Sequence, residues 1–181
     1  STPCEHSFPT RRSSDLSSLI STLSTTHSTP SFSPHVTLLT GIPAHASAAT
    51  LLSTLRTALV AAPTGPFSLA LATLGSKATE GNYFQYLYAT VDPANKQLMQ
   101  LRRTVREALL PTEVAQQPDD YFPHLSLMYG ADTHETRSVN LIEDLAAKGG
   151  AGVTTLLVAE VLLVKCEGRP EEWEILGRLT L

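Results

Sequence analysis

The chain is short of charge, of cysteine and of long apolar runs. Charged residues make up 17% of 181, below the roughly 25% usual in soluble domains, and serine and threonine take their place. Positive charge is not in excess, since the formal net charge is −4. Gripping a nucleic-acid polymer by its phosphates needs a basic surface, so the charge balance argues against that class of function; it does not argue against a small phosphorylated ligand. The two cysteines, Cys4 and Cys166, form no CxxC and no zinc spacing, which excludes a disulfide framework and a structural zinc site. The longest apolar stretch, Leu156 to Val164, is broken by Glu160 and falls far short of the roughly 20 residues that span a membrane. What is present is enough apolar residue, 42%, for one domain with a core, in a chain too short for two full-sized ones.

Residues 1–33 contain 17 Ser or Thr, and nothing before Leu16 shows a strand or helix period. No apolar run of signal-peptide type appears there. The run His6 to Leu16 matches, codon for codon, the translation of a common sequencing-adapter oligonucleotide. Residues 1–15 are therefore expected to be an artefactual or disordered segment, with a single domain over 16–181.

Leu16, Leu19, Ile20 and Leu23 fall at helical spacing, which predicts a short amphipathic helix to Thr26. A second helix is expected over 47–62, with Leu51, Leu52, Leu55 and Leu59 on one face and Pro63 ending it. Phe67, Leu69 and Leu71 alternate with small residues as in a half-buried strand. Tyr83 to Val91, after Gly81-Asn82, reads as its hairpin partner. Asp92-Pro93 is expected to open a third helix as N-cap and N1, burying Leu98, Leu101, Val105 and Leu109. Asp132 and Glu135 suit a capping box for a fourth helix, which carries Leu141, Ile142 and Leu145 and ends at Gly149-Gly150. Val153 to Val164 reads as one long strand and Glu172 to Leu181 as the last. The mix lacks a regular βαβ beat, which points to an α+β fold with antiparallel sheets.

Two segments align without a gap: Phe32-Ser33-Pro34-His35-Val36-Thr37-Leu38-Leu39-Thr40-Gly41 and Tyr121-Phe122-Pro123-His124-Leu125-Ser126-Leu127-Met128-Tyr129-Gly130. Both read aromatic-x-Pro-His-apolar-hydroxyl-Leu-x-x-Gly. The H-x-[ST] core alone carries little weight. His27, His45 and His134 satisfy it too, in a Ser-rich loop and at two expected helix starts, where an exposed polar residue is the simpler reading. His35 and His124 differ in having Pro before them and an apolar strand after.

Strand side chains alternate faces. His35 and Thr37 then point one way, as do His124 and Ser126, while Val36, Leu38, Leu125 and Leu127 face a core. Two such strands related by a pseudo-two-fold put two imidazoles and two hydroxyls around one point. That suits in-line displacement at phosphorus. One neutral histidine takes a proton from water, and a protonated one gives a proton to the leaving oxygen. The hydroxyls bind the non-bridging phosphoryl oxygens. Two imidazoles near neutral pH hold both protonation states without a metal.

The paired His-x-Thr/Ser strands resemble the two-histidine (2H) phosphoesterase superfamily, and within it the cyclic phosphodiesterases of fungi and plants. The likeness also takes in Asn82-Tyr83-Phe84-Gln85-Tyr86-Leu87-Tyr88 and runs from about Leu16 to Leu181. The resemblance implies a duplicated, two-lobed LigT-like fold, with antiparallel sheets lining a central cleft and helices outside. It implies metal-independent hydrolysis of ADP-ribose 1″,2″-cyclic phosphate, a tRNA-splicing by-product, and of nucleoside 2′,3′-cyclic phosphates to 2′-phosphates. By carry-over, His35 and His124 are the acid–base pair, Thr37 and Ser126 bind phosphate, and Tyr129 contacts substrate. No cofactor is implied. The partner is a small cyclic nucleotide or ADP-ribose cyclic phosphate, with no membrane and no long nucleic acid, on a monomer that is cytoplasmic or Golgi-associated as in some fungal relatives. Family members begin with a strand that helps line the cleft, and here the suspect segment stands in its place.

Two other readings keep the same motifs: a superfamily enzyme acting on RNA ends or 2′–5′ linkages, and a non-catalytic nucleotide-binding module. Arg102, Arg103 and Arg106 form one basic stretch, expected on the solvent side of the third helix. The duplication leaves open which histidine is the base. If Tyr129 packs the nucleoside near His124, then His124 activates water and His35 protonates O3′.

Overall fold

The computed structural model describes residues 3–7, 13–42, 46–130, 135–147 and 155–181. Among them lie eight strands: β1 (Pro3–Ser7), β2 (Val36–Leu39), β3 (Phe67–Gly75), β4 (Leu87–Val91), β5 (His124–Met128), β6 (Thr155–Val158), β7 (Glu160–Lys165) and β8 (Glu174–Thr180). The helices are α1 (Ser13–His27), α2 (Ala48–Ala61), α3 (Lys96–Leu109), α4 (Thr112–Ala115) and α5 (Glu135–Ala147).

All strands join one sheet in the order β6-β3-β4-β5-β2-β1-β7-β8, and every pairing is antiparallel. The order divides into two four-stranded halves, with β5 and β2 as neighbours at the centre. That is the pseudo-two-fold the duplicated decapeptide implies, and the fold is α+β with antiparallel pairing, as expected. α1 precedes β2 yet packs on β5, and α3 precedes β5 yet packs on β2. Each half is thereby covered by the helix of the other.

The expected strand over 153–164 is two strands. Thr155–Val158 pairs with β3, and Glu160–Lys165 pairs with β1 and β8. Only Ala159 separates them, although they lie near opposite ends of the sheet order. A flat sheet cannot satisfy both pairings, so the sheet must curl and bring β6 back towards β7. The Leu181 N–H, donating to the Ala159 carbonyl at 2.9 Å, occupies a backbone group at that kink. Hydrophobic alternation continues through the break, which is why the sequence reads as one strand.

Residues 3–7 also differ from expectation. They sit between β2 and β7, with Cys4 opposite Val164 and Ser7 opposite Val36. A gap there would leave two strand edges with unpaired N–H and C=O groups. A ladder is built from main chain, so a segment with no hydrophobic period still fills it.

The core follows the apolar faces. Leu16, Ile20 and Leu23 of α1 are buried, as are Leu51 and Leu55 of α2 and all four expected residues of α3. Truncating Leu101 to Ala would cost about 2–5 kcal/mol. Phe67, Leu69 and Leu71 are buried, while Ser68 and Ala70 between them and Ala72 after them are exposed. The N-cap of α3 is Asn95, whose Oδ1 accepts from the Leu98 N–H at 2.9 Å. Asp92 instead closes a turn onto the Ala94 N–H at 2.8 Å, so the helix starts three residues later than expected. Ser47 does cap α2, accepting from the Thr50 N–H. His45, Asp132, His134, Gly149-Gly150 and Val153 lie outside the described residues. No described helix is long and apolar enough to cross a membrane.

Candidate active site

β2 pairs with β5 at Val36 opposite Leu125. Both side chains are fully buried on the helix-covered face. One step along each antiparallel strand, His35 faces Ser126 and Thr37 faces His124, all on the other face of the sheet. Directly opposed residues have Cβ atoms about 4.5–5.5 Å apart. The register thus makes two crossed His–hydroxyl pairs side by side. All four residues, with Tyr129, line one cavity of about 660 Å³, a normal size for a small-molecule site. The structure therefore brings together every site residue expected from the sequence.

Each imidazole is oriented in the same way. The Nδ1 of His35 lies 2.6 Å from the Ser33 carbonyl, and that of His124 lies 2.8 Å from the Phe122 carbonyl. A carbonyl only accepts, so Nδ1 carries the proton and Nε2 is the reactive nitrogen in both rings. The proline between each carbonyl and its histidine sets φ and favours extended backbone before it.

The surroundings of the two rings differ. His35 is 5% exposed. Phe32 meets it edge-on at 5.8 Å, and the Tyr129 hydroxyl donates to its Nε2 at 3.2 Å. Burial pulls its pKa from 6.5 to about 4; the Ser33 carbonyl opposes this and the charge on His124 adds to it. His124 is half-buried, stacked on Phe122 at 5.4 Å and edge-on to Tyr88 at 5.5 Å. Burial lowers its pKa too, opposed by the Phe122 carbonyl and assisted by Lys77. The Lys77 ammonium lies over the Phe122 ring, 4.8 Å from its centroid. Tyr129 thus packs against His35, not His124, contrary to the placement considered above. It follows β5 in sequence, but Phe32 stacks on it at 3.9 Å.

The hydroxyls differ as well. Ser126 is buried and donates to the Phe84 carbonyl at 2.7 Å. Thr37 is half-buried on the cavity wall. Its carbonyl accepts from the Tyr121 hydroxyl at 2.9 Å. The two leading aromatics therefore cross over: Phe32 of the first decapeptide supports Tyr129 of the second, and Tyr121 of the second anchors Thr37 of the first.

Tyr121 is fixed from behind. The Arg102 guanidinium lies 4.1 Å from its ring centroid and pairs with Asp119 at 2.7 Å, and it also donates to the Leu38 carbonyl. Arg106 reaches Asp119 at 3.6 Å. The hydrogen bond from Arg102 holds the Asp119 carboxyl below its usual range. Arg102 and Arg106 are thus tied down, with Arg102 only 11% exposed, rather than ranged along a solvent face as expected. The acidic residue that captures them is 17 positions away from Arg102 in sequence, beyond any local pattern. His27 ends α1 half-buried and lines no part of this cavity.

Other cavity residues were not expected at the site, although Asn82 to Gln85 belong to the segment that carries the family likeness. Tyr83, Phe84 and Trp173 form an aromatic rim over Tyr129, with Phe84 5.2 Å from Tyr129 and 6.0 Å from Trp173. Phe84 is 52% exposed, and a large apolar side chain left open at a cavity mouth was the available clue. Thr40, Asn82, Gln85 and Cys166 complete the wall. Among the described residues, no cluster of three or more His, Cys, Asp or Glu is placed to hold a metal ion.

The profile of the cyclic phosphodiesterase-like protein family matches residues 5–181. The chain belongs to that family, within the 2H phosphoesterase superfamily, and its activity class is that of a phosphodiesterase. Solved structures share the fold at low sequence identity. TT0787 of Thermus thermophilus has a TM-score of 0.65 at 16% identity, covering 100% of this chain and 98% of its own. E. coli LigT complexed with 3′-AMP has 0.57 at 14%, covering 99% and 97%. Kluyveromyces marxianus Usb1 has 0.52 at 14%, covering 97% of each. A comparison with curated proteins returns no match.

Proposed function

We propose that the protein hydrolyses small cyclic phosphates, namely nucleoside 2′,3′-cyclic phosphates and ADP-ribose 1″,2″-cyclic phosphate, giving 2′-phosphates from the former. The observation that carries this reading is the crossed pair of His–hydroxyl couples that the Val36–Leu125 register sets in one cavity. The nucleotide bound to LigT is consistent with a small nucleotide in this fold.

Unequal burial assigns the roles. His35, whose pKa lies near 4, is neutral at pH 7 and acts as the base. Its Nε2 releases the Tyr129 hydroxyl and takes a proton from water. The water oxygen bonds to phosphorus as the phosphorus–O3′ bond breaks, and His124 delivers its proton to O3′. An anionic phosphate raises the pKa of both rings, and the less buried His124 gains its proton first. Thr37 and Ser126 donate to the non-bridging oxygens, Ser126 after leaving the Phe84 carbonyl. Two imidazoles and two hydroxyls supply the proton transfers and charge stabilisation, so no metal is required.

The test is turnover of adenosine 2′,3′-cyclic phosphate in excess EDTA, with phosphorus NMR of the product. A single 2′-phosphate signal is expected. A 3′-phosphate or an equal mixture overturns the direction of opening, and activity restored only by a divalent ion overturns the metal-independent mechanism. No turnover at all favours a binding module.

A further inference from the structure

Both decapeptides carry an extra residue at the same place. On β1, the adjacent residues Glu5 and His6 face Leu39 and Thr37 of β2, which leaves Leu38 without a partner in that ladder. On β4, the adjacent residues Leu87 and Tyr88 face Met128 and Ser126 of β5, which leaves out Leu127. These are β-bulges at equivalent positions, each directly after the hydroxyl residue. An extra residue shifts the alternation of faces by one. Leu38 and Leu39 are accordingly both buried, as are Leu127 and Met128. The next residues to reach the cavity are Thr40 and Tyr129, three positions past Thr37 and Ser126 instead of two.

A bulge bends its strand and leaves a residue outside the ladder, so its shape must be fixed by other contacts. The first bulge is fixed from α3 and from the approach to β5. Arg102 donates from Nη1 to the Leu38 carbonyl, and the Tyr121 hydroxyl donates to the Thr37 carbonyl at 2.9 Å. Two successive peptide planes directly after Thr37 are thereby held. The two holders are themselves joined. Nε and Nη2 of Arg102 donate to the two Asp119 carboxylate oxygens at 2.8 and 2.7 Å, and the guanidinium lies 4.1 Å from the Tyr121 ring centroid. A guanidinium uses a rigid planar fork and a flat face at once, which an ammonium cannot. Burying such a pair adds little net stability, because desolvation offsets the attraction; what it supplies is geometry. Geometry is needed at this seam, where the register between β2 and β5 is a single ladder pair, Val36 opposite Leu125. In the other copy Ser126 is held through its own hydroxyl, at the Phe84 carbonyl.

We infer that Arg102 is a positioning residue for the reaction: with Asp119 and Tyr121 it locks the Leu38 bulge, so that the Thr37 hydroxyl meets the phosphoryl oxygens. The inference rests on the reading of Thr37 as a phosphate ligand, and it deepens that reading by naming what aims the hydroxyl. Arg102, Asp119 and Tyr121 act through Thr37 and not on the substrate.

The test is a double-mutant cycle on the full chain, with adenosine 2′,3′-cyclic phosphate as substrate and kcat and KM measured separately. Arg102→Lys keeps the charge but not the fork. It should lower kcat about tenfold, since a misplaced group in the site slows the reaction, with KM nearly unchanged. In a Thr37→Ala background the same substitution should have no further effect on kcat, because the hydroxyl it aims is gone. In a Ser126→Ala background the full tenfold loss should return. Tyr121→Phe deletes one hydroxyl and keeps the ring on Arg102, so it runs the same cycle with a smaller change to the fold. It should lower kcat about threefold, again only while Thr37 is present. A residue that merely stabilises the fold lowers the active fraction equally in every background. Equal losses with and without Thr37→Ala therefore overturn the inference, as does an unchanged kcat in both Arg102→Lys and Tyr121→Phe. An unaltered protein that turns over no cyclic phosphate overturns the proposed function itself, and this inference with it.

Discussion

The two decapeptides share a sequence pattern but not an environment. In both, an Nδ1–H donates to the carbonyl two residues back, so the repeat reproduces ring orientation. It does not reproduce burial. His35 lies under Phe32 and Tyr129, whereas His124 shares Phe122 with Lys77. Even the closing glycines serve different ends. Gly41 has φ +80°, with nothing within 4 Å of an added Cβ, so it is needed for its backbone conformation. At Gly130 a Cβ would meet the Tyr86 ring at 2.8 Å, so it is needed for space. The difference teaches that duplication fixes local geometry, while each copy's neighbours divide the chemical labour.

The largest effect that could break this comparison is loss of either ring. His35→Gln and His124→Gln should each lower turnover about 10²–10⁴-fold, but with different pH signatures. The base variant should lose the acidic limb of the kcat/KM profile and the acid variant the alkaline one. Identical signatures in both variants would abolish the division of roles. Next are the hydroxyls. Thr37→Ala should slow the chemical step about 10²–10³-fold. Ser126→Ala should cost about fivefold less, because that hydroxyl gives up its bond to Phe84, worth roughly 1 kcal/mol. Single-turnover rates compare the two, and equal losses would mean that the Phe84 bond is retained during reaction.

Stability tests the burial difference without catalysis. The folded pKa of His35 is depressed from 6.5 to about 4, so between those values the unfolded chain binds more protons. Stability from this ring is complete above pH 6.5 and is lost as pH falls towards 4. The loss is on the order of 3 kcal/mol. Urea unfolding at pH 7 and pH 4 should show that loss shrinking in His35→Gln by more than in His124→Gln; equal shrinkage would contradict the unequal burial. The smallest effect concerns Lys77. The kcat/KM profile should be a bell on the acid side, rising near pH 4 with His35 and falling below 6.5 with His124, the limbs belonging to the coupled pair. Lys77→Met removes a charge that lowers the His124 pKa and should move the alkaline limb upwards, with the acidic limb left in place. Movement of the acidic limb instead would reverse the assignment of base and acid.

The sequence by itself determined what each short segment can do. The 3.6-residue and 2-residue periods selected the buried faces of α1, α2, α3 and β3, because burial is local to an element's face. The decapeptides put His and hydroxyl on one side of a strand and Val or Leu on the other, because the strand period is two. Boundaries set by distant partners escaped it. Asn95 rather than Asp92 caps α3, Ala159 splits an apolar run between two distant strands, Pro3–Ser7 fills a gap that exists only between β2 and β7, and Arg102 folds back onto Asp119. Only the tertiary structure decided that the two motif strands are direct neighbours with Val36 opposite Leu125, and that Tyr129 crosses to His35. Only it buried one ring more deeply than the other. Register, crossing and burial depend on how the whole sheet curls and what covers it, and none of these is encoded in the ten residues of either motif.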